Sequence, residues 1–471
     1  MTESTKTVTR RWWVLAVICL AQLMDVLDVT IVNIALPGAQ RELGFSVGDR
    51  QWIVTAYSLA FGSLLLLSGR VSELIGRRTM LVAGLLLFGA ASAVAGAAPN
   101  FTVLVTGRAV QGVAGAILAP AALSLLSTTF TDAKERATAF AVFGGVSGSG
   151  AAIGMLLGGV LTEYLDWRWT LFVNVGISLV TLAGAAILIP RQAKTGDRPR
   201  LDLPGTLLAS AGLFCLVYGF ADIEANSWPF LPGGVLLLAV FGWWQTRAAH
   251  PLLPPRVILD RTRGGANLAI FIGGVGLFGA FLFLNYYLQE ILGFSPIMTG
   301  LAFLPMVAGL VLAGGICTTQ LYPRLGAKIP VVAGMLLAAG GMALLTRIGR
   351  DSSYAADILG PLMLFGAGIG AIIAPSMDAG TSGVEPRDSG VASATVNIAQ
   401  QIGGSIGVAL LNSFAASALA RQLVGKDASS PVVRADAAIH SYATAFWGST
   451  AVFIVGAVAC GLLLRDGKTS T

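Results

Sequence analysis

Gln22-Leu-Met-Asp25-Val-Leu-Asp28-Val-Thr-Ile-Val-Asn33-Ile-Ala-Leu-Pro37 is an apolar stretch interrupted by two aspartates. It belongs to a run from about Trp12 to Leu36, long enough to cross a bilayer as a helix. A charged group at the centre of such a helix costs about 2.5–3.5 kcal/mol on insertion scales. Residues three apart share a helix face, so Asp25 and Asp28 project together. A carboxyl pair kept at that cost suits a water-filled cavity, where it exchanges a proton or meets a cation. Proton-coupled transport is the first reading of the chain.

Composition agrees. The 471 residues are 55% apolar and 11% charged, with a mean hydropathy of +0.77. A soluble domain carries about a quarter charged residues, so this is a polytopic membrane protein. The first run is too long for a signal-peptide core and no small-residue cleavage site follows it, which makes it a retained helix. Predicted helices span 12–36, 51–69, 79–98, 101–128, 136–161, 168–190, 203–221, 229–246, 264–289, 297–320, 328–346, 357–377, 388–419 and 440–464. Fourteen spans of about 20 residues leave short loops and no room for a sizeable soluble domain. The runs lack the alternation of a membrane β-strand, so helices are the only choice.

Charge sets the orientation. With both termini cytoplasmic, 21 Lys/Arg lie inside and 8 outside, while Arg108 alone lies within a predicted span. That bias follows the positive-inside rule. Basic residues at helix ends, not in one patch, argue against nucleic acid as the source of the +6 net charge. Cys19, Cys215, Cys317 and Cys460 all fall in apolar runs, as packed thiols do, with no metal motif or disulfide framework. Arginine outnumbers lysine 24 to 6, which points to a GC-rich bacterial genome.

The basic loops Pro190–Asp202 and Arg247–Arg263 bracket helices 7 and 8. The chain therefore divides into a six-helix bundle over 1–190, a two-helix insert over 191–263 and a second six-helix bundle over 264–471. A weak repeat supports the halves when helices 7 and 8 are skipped. Gly150, Gly154 and Gly158 in helix 5 correspond to Gly403 and Gly407 in helix 13, and Leu74-Ile-Gly76-Arg77-Arg78 to Arg324-Leu-Gly326-Ala-Lys328. Repeated halves place a substrate site at their interface near the bilayer midplane.

The candidate residues follow from this frame. Asp28 and Asp25 are the coupling or substrate carboxylates, with Asp28 favoured; hydrogen bonding to a neighbouring helix is the plainer alternative. Arg108 shares a helix 4 face with Gln111. A buried guanidinium needs carboxylate or carbonyl partners, either to couple proton load to conformation or as a structural clamp. The glycines Gly150, Gly154, Gly158 and Gly159 make a smooth groove for close helix packing. Gly69, Glu73, Gly76, Arg77 and Arg78 form a turn with arginines at the membrane face, which suits topology alone and equally suits a gate. Asn33, Tyr57, Asn285, Tyr286, Asn397, Gln400 and Gln401 are cavity candidates, although helix packing uses such groups too. Glu290 and Asp378 read as solvated span ends. No Walker loop is present, and both histidines fall in or beside loops, so a proton relay must use carboxylates.

At these residues the chain resembles the major facilitator superfamily, and within it the fourteen-helix drug:proton antiporters, over nearly its whole length. Leu27-Asp28-Val-Thr-Ile-Val-Asn33-Ile-Ala-Leu-Pro37 is similar to that family's helix 1 signature. Gly69 to Arg78 resembles the loop 2–3 motif, Arg108 to Gly112 the helix 4 motif, and Gly150 to Gly159 the antiporter motif of helix 5. Asp166-Trp-Arg168-Trp-Thr-Leu-Phe172-Val-Asn174 resembles the entry to helix 6. There are departures: Glu73 replaces the usual aspartate, Met155 the proline after Gly154, and Gly176 a proline after Asn174.

The resemblance implies alternating access by two rocking bundles, with proton entry driving export and Arg108 tuning Asp28. It implies no enzyme activity, no metal and no cofactor beyond the proton gradient. The expected partners are protons, the lipid bilayer and an amphipathic, often cationic drug. The expected setting is a monomer in the bacterial plasma membrane. A dedicated exporter of one natural product, a solute importer and a membrane sensor are the alternatives.

Overall fold

The computed structural model describes residues 3–46, 48–130, 132–190, 202–221, 227–249, 251–253, 256, 259–381, 384, 389–426 and 430–464. Among these, fourteen helices of sixteen or more residues follow one another, joined by turns and short loops. They are α1 (Glu3–Leu43), α2 (Arg50–Ile75), α3 (Arg77–Gly96), α4 (Phe101–Thr129), α5 (Ala133–Tyr164), α6 (Trp169–Leu188) and α7 (Leu203–Ala221). The series continues with α8 (Phe230–Gln245), α9 (Arg261–Tyr286), α10 (Pro296–Ile316), α11 (Lys328–Leu345), α12 (Leu359–Thr381), α13 (Ser389–Leu423) and α14 (Pro431–Leu463). Eleven are long and apolar enough to cross a membrane, and α7 and α8 are apolar over shorter lengths. The basic loop 191–201 lies outside the described residues.

Several ends differ from those read in the sequence. Helix α1 runs through Pro37 to Leu43, although a proline removes one backbone donor and commonly ends a helix. Here the Arg41 side chain donates to the Pro37 carbonyl, Nε to O 3.3 Å, within the turn that follows the proline. Helix α14 begins at Pro431, nine residues before its apolar run, because a proline in the first turn needs no donor. Helix α9 widens into a π-helical turn over Tyr287–Ile291, which carries Glu290.

The chain forms two compact units. The first holds Met1–Phe45 and Trp52–Ser210, the second Ser46–Gln51 and Ala211–Thr471. Within the first, α1 packs on α5 and α6, and α3 on α4 and α6. Within the second, α9 packs on α13 and α14, and α11 on α12 and α14. The two units thus repeat one pairing scheme.

Glycine makes the equivalent contacts close. A Cβ on Gly154 would lie 2.0 Å from Thr30 Oγ1, and one on Gly158 2.9 Å from Ile31 Cγ1, both on α1. A Cβ on Gly403 would lie 2.1 Å from the Phe271 carbonyl oxygen of α9, and one on Gly407 2.5 Å from the Val275 Cα. Gly150 faces Val26 and Leu23 in the same groove, and Gly159 is buried beside it. The repeated loops match as well: Gly76 and Gly326 both take positive φ, 103° and 70°, a backbone state that glycine reaches without strain.

These contacts predict a sharp contrast. Gly403→Ala meets backbone that has no room to yield and costs about 1–3 kcal/mol of stability. Gly144→Ala, inside α5 with nothing within 4 Å of its added carbon, costs no stability and adds up to about 1 kcal/mol. Thermal unfolding of the two purified variants measures the difference.

Candidate functional site

The site is built on one carboxylate. Asp28 is fully buried in α1. Its Oδ2 accepts from the Arg108 guanidinium of α4 at 2.5 Å. Its Oδ1 accepts from the amide of Gln111, also on α4, at 3.0 Å and from the amide of Asn174 on α6 at 2.7 Å. Three donors from two helices therefore hold one acid. The network extends outward: Arg108 donates to Gln111 Oε1 and to the Ile53 carbonyl, and Gln111 donates to Ser92 of α3 at 2.7 Å. Arg108 and Gln111 meet the same acid because positions three apart share a helix face.

Asp25, one turn back, is held differently. Its Oδ1 accepts from the Tyr57 hydroxyl of α2 at 2.6 Å. The face of the Tyr57 ring lies 4.7 Å from the Arg108 guanidinium carbon, so one tyrosine touches both parts of the site. Glycine makes this possible. A Cβ on Gly112 would sit 2.2 Å from the Tyr57 carbonyl oxygen. One on Gly115 would sit 2.8 Å from the Tyr57 hydroxyl and 3.0 Å from Asp25 Oδ1. A recess lined by Val32, Ala35, Ile53, Leu104 and Thr170 has Arg108 in its wall.

The other sequence candidates lie apart from this cluster. Asn33 donates to the Val29 carbonyl of its own helix at 2.9 Å. Gly69 approaches Pro120, Arg77 is half-buried, and the Glu73 side chain lies outside the described residues. Arg78 donates to the Ala186 carbonyl and Arg10 to that of Leu188, which satisfies the last turn of α6. Asn397 and Gln401 are half-buried on α13.

Tyr286 belongs to a second cluster, within the second unit. The Arg50 guanidinium stands 3.6 Å above its ring and pairs with Glu290 at 3.2 Å, and the Tyr442 hydroxyl donates to Glu290 at 3.4 Å. Glu290 is therefore more than a solvated span end: it faces an arginine that is 7% exposed. Its partner lies 240 positions away, so no sequence spacing announces the pair. Asn174 and Ser92 were likewise not legible as partners of the site. Asn174 stood only in a motif at the start of helix 6, and Ser92 is one small polar residue in an apolar run.

The family model described as Major Facilitator Superfamily matches residues 18–408. The chain belongs to the major facilitator superfamily. It is 48% identical to a puromycin resistance protein of Streptomyces alboniger, over 98% of this chain and 92% of that protein. It is 36% identical to a cephamycin export protein of Amycolatopsis lactamdurans, over 87% of this chain and 85% of that protein. In fold it is similar to a bacterial homologue of the human lysosomal transporter Spinster solved in an inward-facing, unoccupied conformation. The TM-score is 0.69 at 15% identity, over 96% of this chain and 97% of that one. As a member of this superfamily the protein is a multi-pass membrane transporter and not an enzyme.

Removing one member of the buried pair strands the other. Arg108→Ala leaves the Asp28 charge uncompensated and lowers stability by about 3–5 kcal/mol. Restoring neutrality with Arg108→Gln and Asp28→Asn together recovers part of that loss. Glu290→Gln, at a half-exposed pair, costs about 1–3 kcal/mol. Unfolding midpoints of the purified variants rank the three.

Proposed function

We propose that this chain exports an antibiotic-type small molecule across the bacterial plasma membrane, in exchange for protons, by alternating access. The observation that carries the reading is the fully buried Asp28 held by Arg108, Gln111 and Asn174 inside a membrane helix. A charge removed from water at this cost suits a group that does work during transport. The antibiotic named for the 48% identical relative and the export named for the 36% identical one support the outward direction and the substrate class. The preferred substrate is amphipathic and cationic, to suit the acids of α1. The proton gradient is the only energy source invoked, and no cofactor takes part.

In this reading fourteen spans form a monomer with both termini cytoplasmic. One bundle covers 1–190, a two-helix insert 191–263 and the other bundle 264–471. Because both relatives are named for single antibiotics, a dedicated exporter is the second reading, beside a multidrug one.

The test is drug accumulation in an efflux-deficient bacterium that expresses the chain. Puromycin and ethidium serve as probes. The expected result is low accumulation that rises when a protonophore collapses the gradient, and high accumulation for Asp28→Asn at equal membrane expression. Export of puromycin without ethidium selects the dedicated exporter. Export of either probe that survives both the protonophore and Asp28→Asn overturns proton coupling at this site.

A further inference from the structure

We propose that the end of α6, with Arg10 and Arg78 around it and Trp13 beside it, binds the headgroup of an anionic phospholipid. The site lies within the first unit, at the membrane face where α1 begins. It rests on the reading above only for the name of that face, the cytoplasmic one.

Two neighbouring helices bring the charges to one place. Helix α6 packs against both α1 and α3. Arg10, at the start of α1, donates from Nε to the Leu188 carbonyl at 3.1 Å. Arg78, at the start of α3, donates from Nη2 to the Ala186 carbonyl at 3.1 Å. The two carbonyls lie in the last turn of α6 and just past it, so both guanidinia stand at one helix end.

Capping uses only part of what they offer, because a guanidinium carries five N–H donors. Arg78 Nε is buried without an acceptor among the described residues. Neither arginine has a carboxylate partner among them, and Glu135 of α5 pairs instead with Arg11 at 3.7 Å. A helix C-terminus supplies about half a negative charge. Two arginines exceed it, so this end keeps a positive surplus and unfilled donors. A phosphate diester supplies both the charge and the acceptors.

The surroundings favour a lipid over a soluble anion. Arg10 and Trp13 are three residues apart and share a face of α1. Trp13 stands about 4.5 Å further along the helix, into the membrane. It is 59% exposed, and Ile187, between the residues whose carbonyls are capped, is 76% exposed. An indole suits the headgroup level of a bilayer, and the exposed isoleucine meets an acyl chain. Phosphate donors thus border an apolar surface that a free anion would not use.

The second unit separates capping from this site. Arg261, at the start of α9, donates to the Leu462 carbonyl in the last turn of α14, as Arg10 does at α6. Three residues on from Arg261 stands Gly264, where Trp13 follows Arg10. The arginine cap is shared scaffold, and the indole beside it belongs to the first unit.

Tryptophan quenching by brominated lipid tests this on the full-length transporter. One set of vesicles is phosphatidylcholine containing a fifth brominated phosphatidylglycerol, and the other contains a fifth brominated phosphatidylcholine. The Trp13 signal is the difference between the wild type and Trp13→Phe. Phosphatidylglycerol should be preferred at Trp13 by about fivefold for each arginine engaged. Arg10→Gln keeps an amide to donate to the Leu188 carbonyl and drops the charge, so it should lower the preference about fivefold. Arg10→Lys, which keeps the charge, should retain most of it. Arg261→Gln removes the equivalent cap of the second unit and should leave it unchanged. Each preference is a ratio taken within one variant, so an altered stability cancels. A wild type that takes both lipids equally at Trp13 would overturn the proposal, as would an Arg10→Gln variant with the full preference. An equal loss in Arg10→Lys and Arg10→Gln would do the same. Inorganic phosphate that abolishes the preference at constant ionic strength would assign the arginines to a soluble anion and overturn the lipid. Drug export is not the readout, so none of these outcomes bears on the export reading.

Discussion

A carboxylate withdrawn from water must find a positive partner or a proton, and the first unit is arranged around that demand. Asp28 meets it with an arginine and two amides, drawn from α4 and α6, while the amide of Gln111 reaches on to Ser92 of α3. The donors converge only if the helices that carry them are held in fixed register. Charge and packing are therefore one problem. Gly112 and Gly115 bring α4 against Tyr57, and Gly154 and Gly158 bring α5 against α1. A methyl group at any of these positions would push apart helices that the buried charges require to be close. Membrane helices gain little from the hydrophobic effect between them, so small-residue contacts and polar links carry more of the association.

The second unit shows which of these features are scaffold and which are chemistry. It repeats the helix pairing and the glycine contacts, with Gly403 and Gly407 of α13 against α9 where Gly154 and Gly158 of α5 meet α1. Among the described residues it does not repeat the charges. Its arginine–carboxylate pair with the most buried arginine, Arg50 and Glu290, includes a carboxylate side chain that is 38% exposed. That pair sits at a π-helical turn that ends α9, with Tyr286 beneath and Tyr442 beside it. Shared packing with unshared charge is the pattern expected when a duplicated scaffold keeps its helix contacts and confines the costly ionic chemistry to one half.

Much of the fold was legible because a membrane leaves few options. Apolar runs of about 20 residues must become helices, since unpaired backbone groups are not tolerated in lipid. The positions of α3, α4, α6, α7 and α11 were accordingly readable to within two residues. Ends that moved, such as those near Pro37 and Pro431, lie in polar sequence beyond the apolar run, which hydropathy does not register. Asp25, Asp28 and Arg108 were legible because each is expensive where it stands. Gln111 and Tyr57 stood among the candidates without a partner assigned, and Asn174 and Ser92 are cheap residues whose importance comes only from what they touch.

The sequence by itself determined that the chain crosses a membrane repeatedly as helices, that its halves repeat, and that two acids and one base lie within the apolar runs. Hydropathy and charge cost act on each residue locally, so these properties survive without coordinates. Only the tertiary structure decided how the charges are shared. The chain separation of 80 residues between Asp28 and Arg108 closes to an ion pair, and Asp25, three positions away, is left with a tyrosine. Spacing along one helix shows that two acids share a face, but which of them receives the guanidinium depends on the rotation and depth of a different helix.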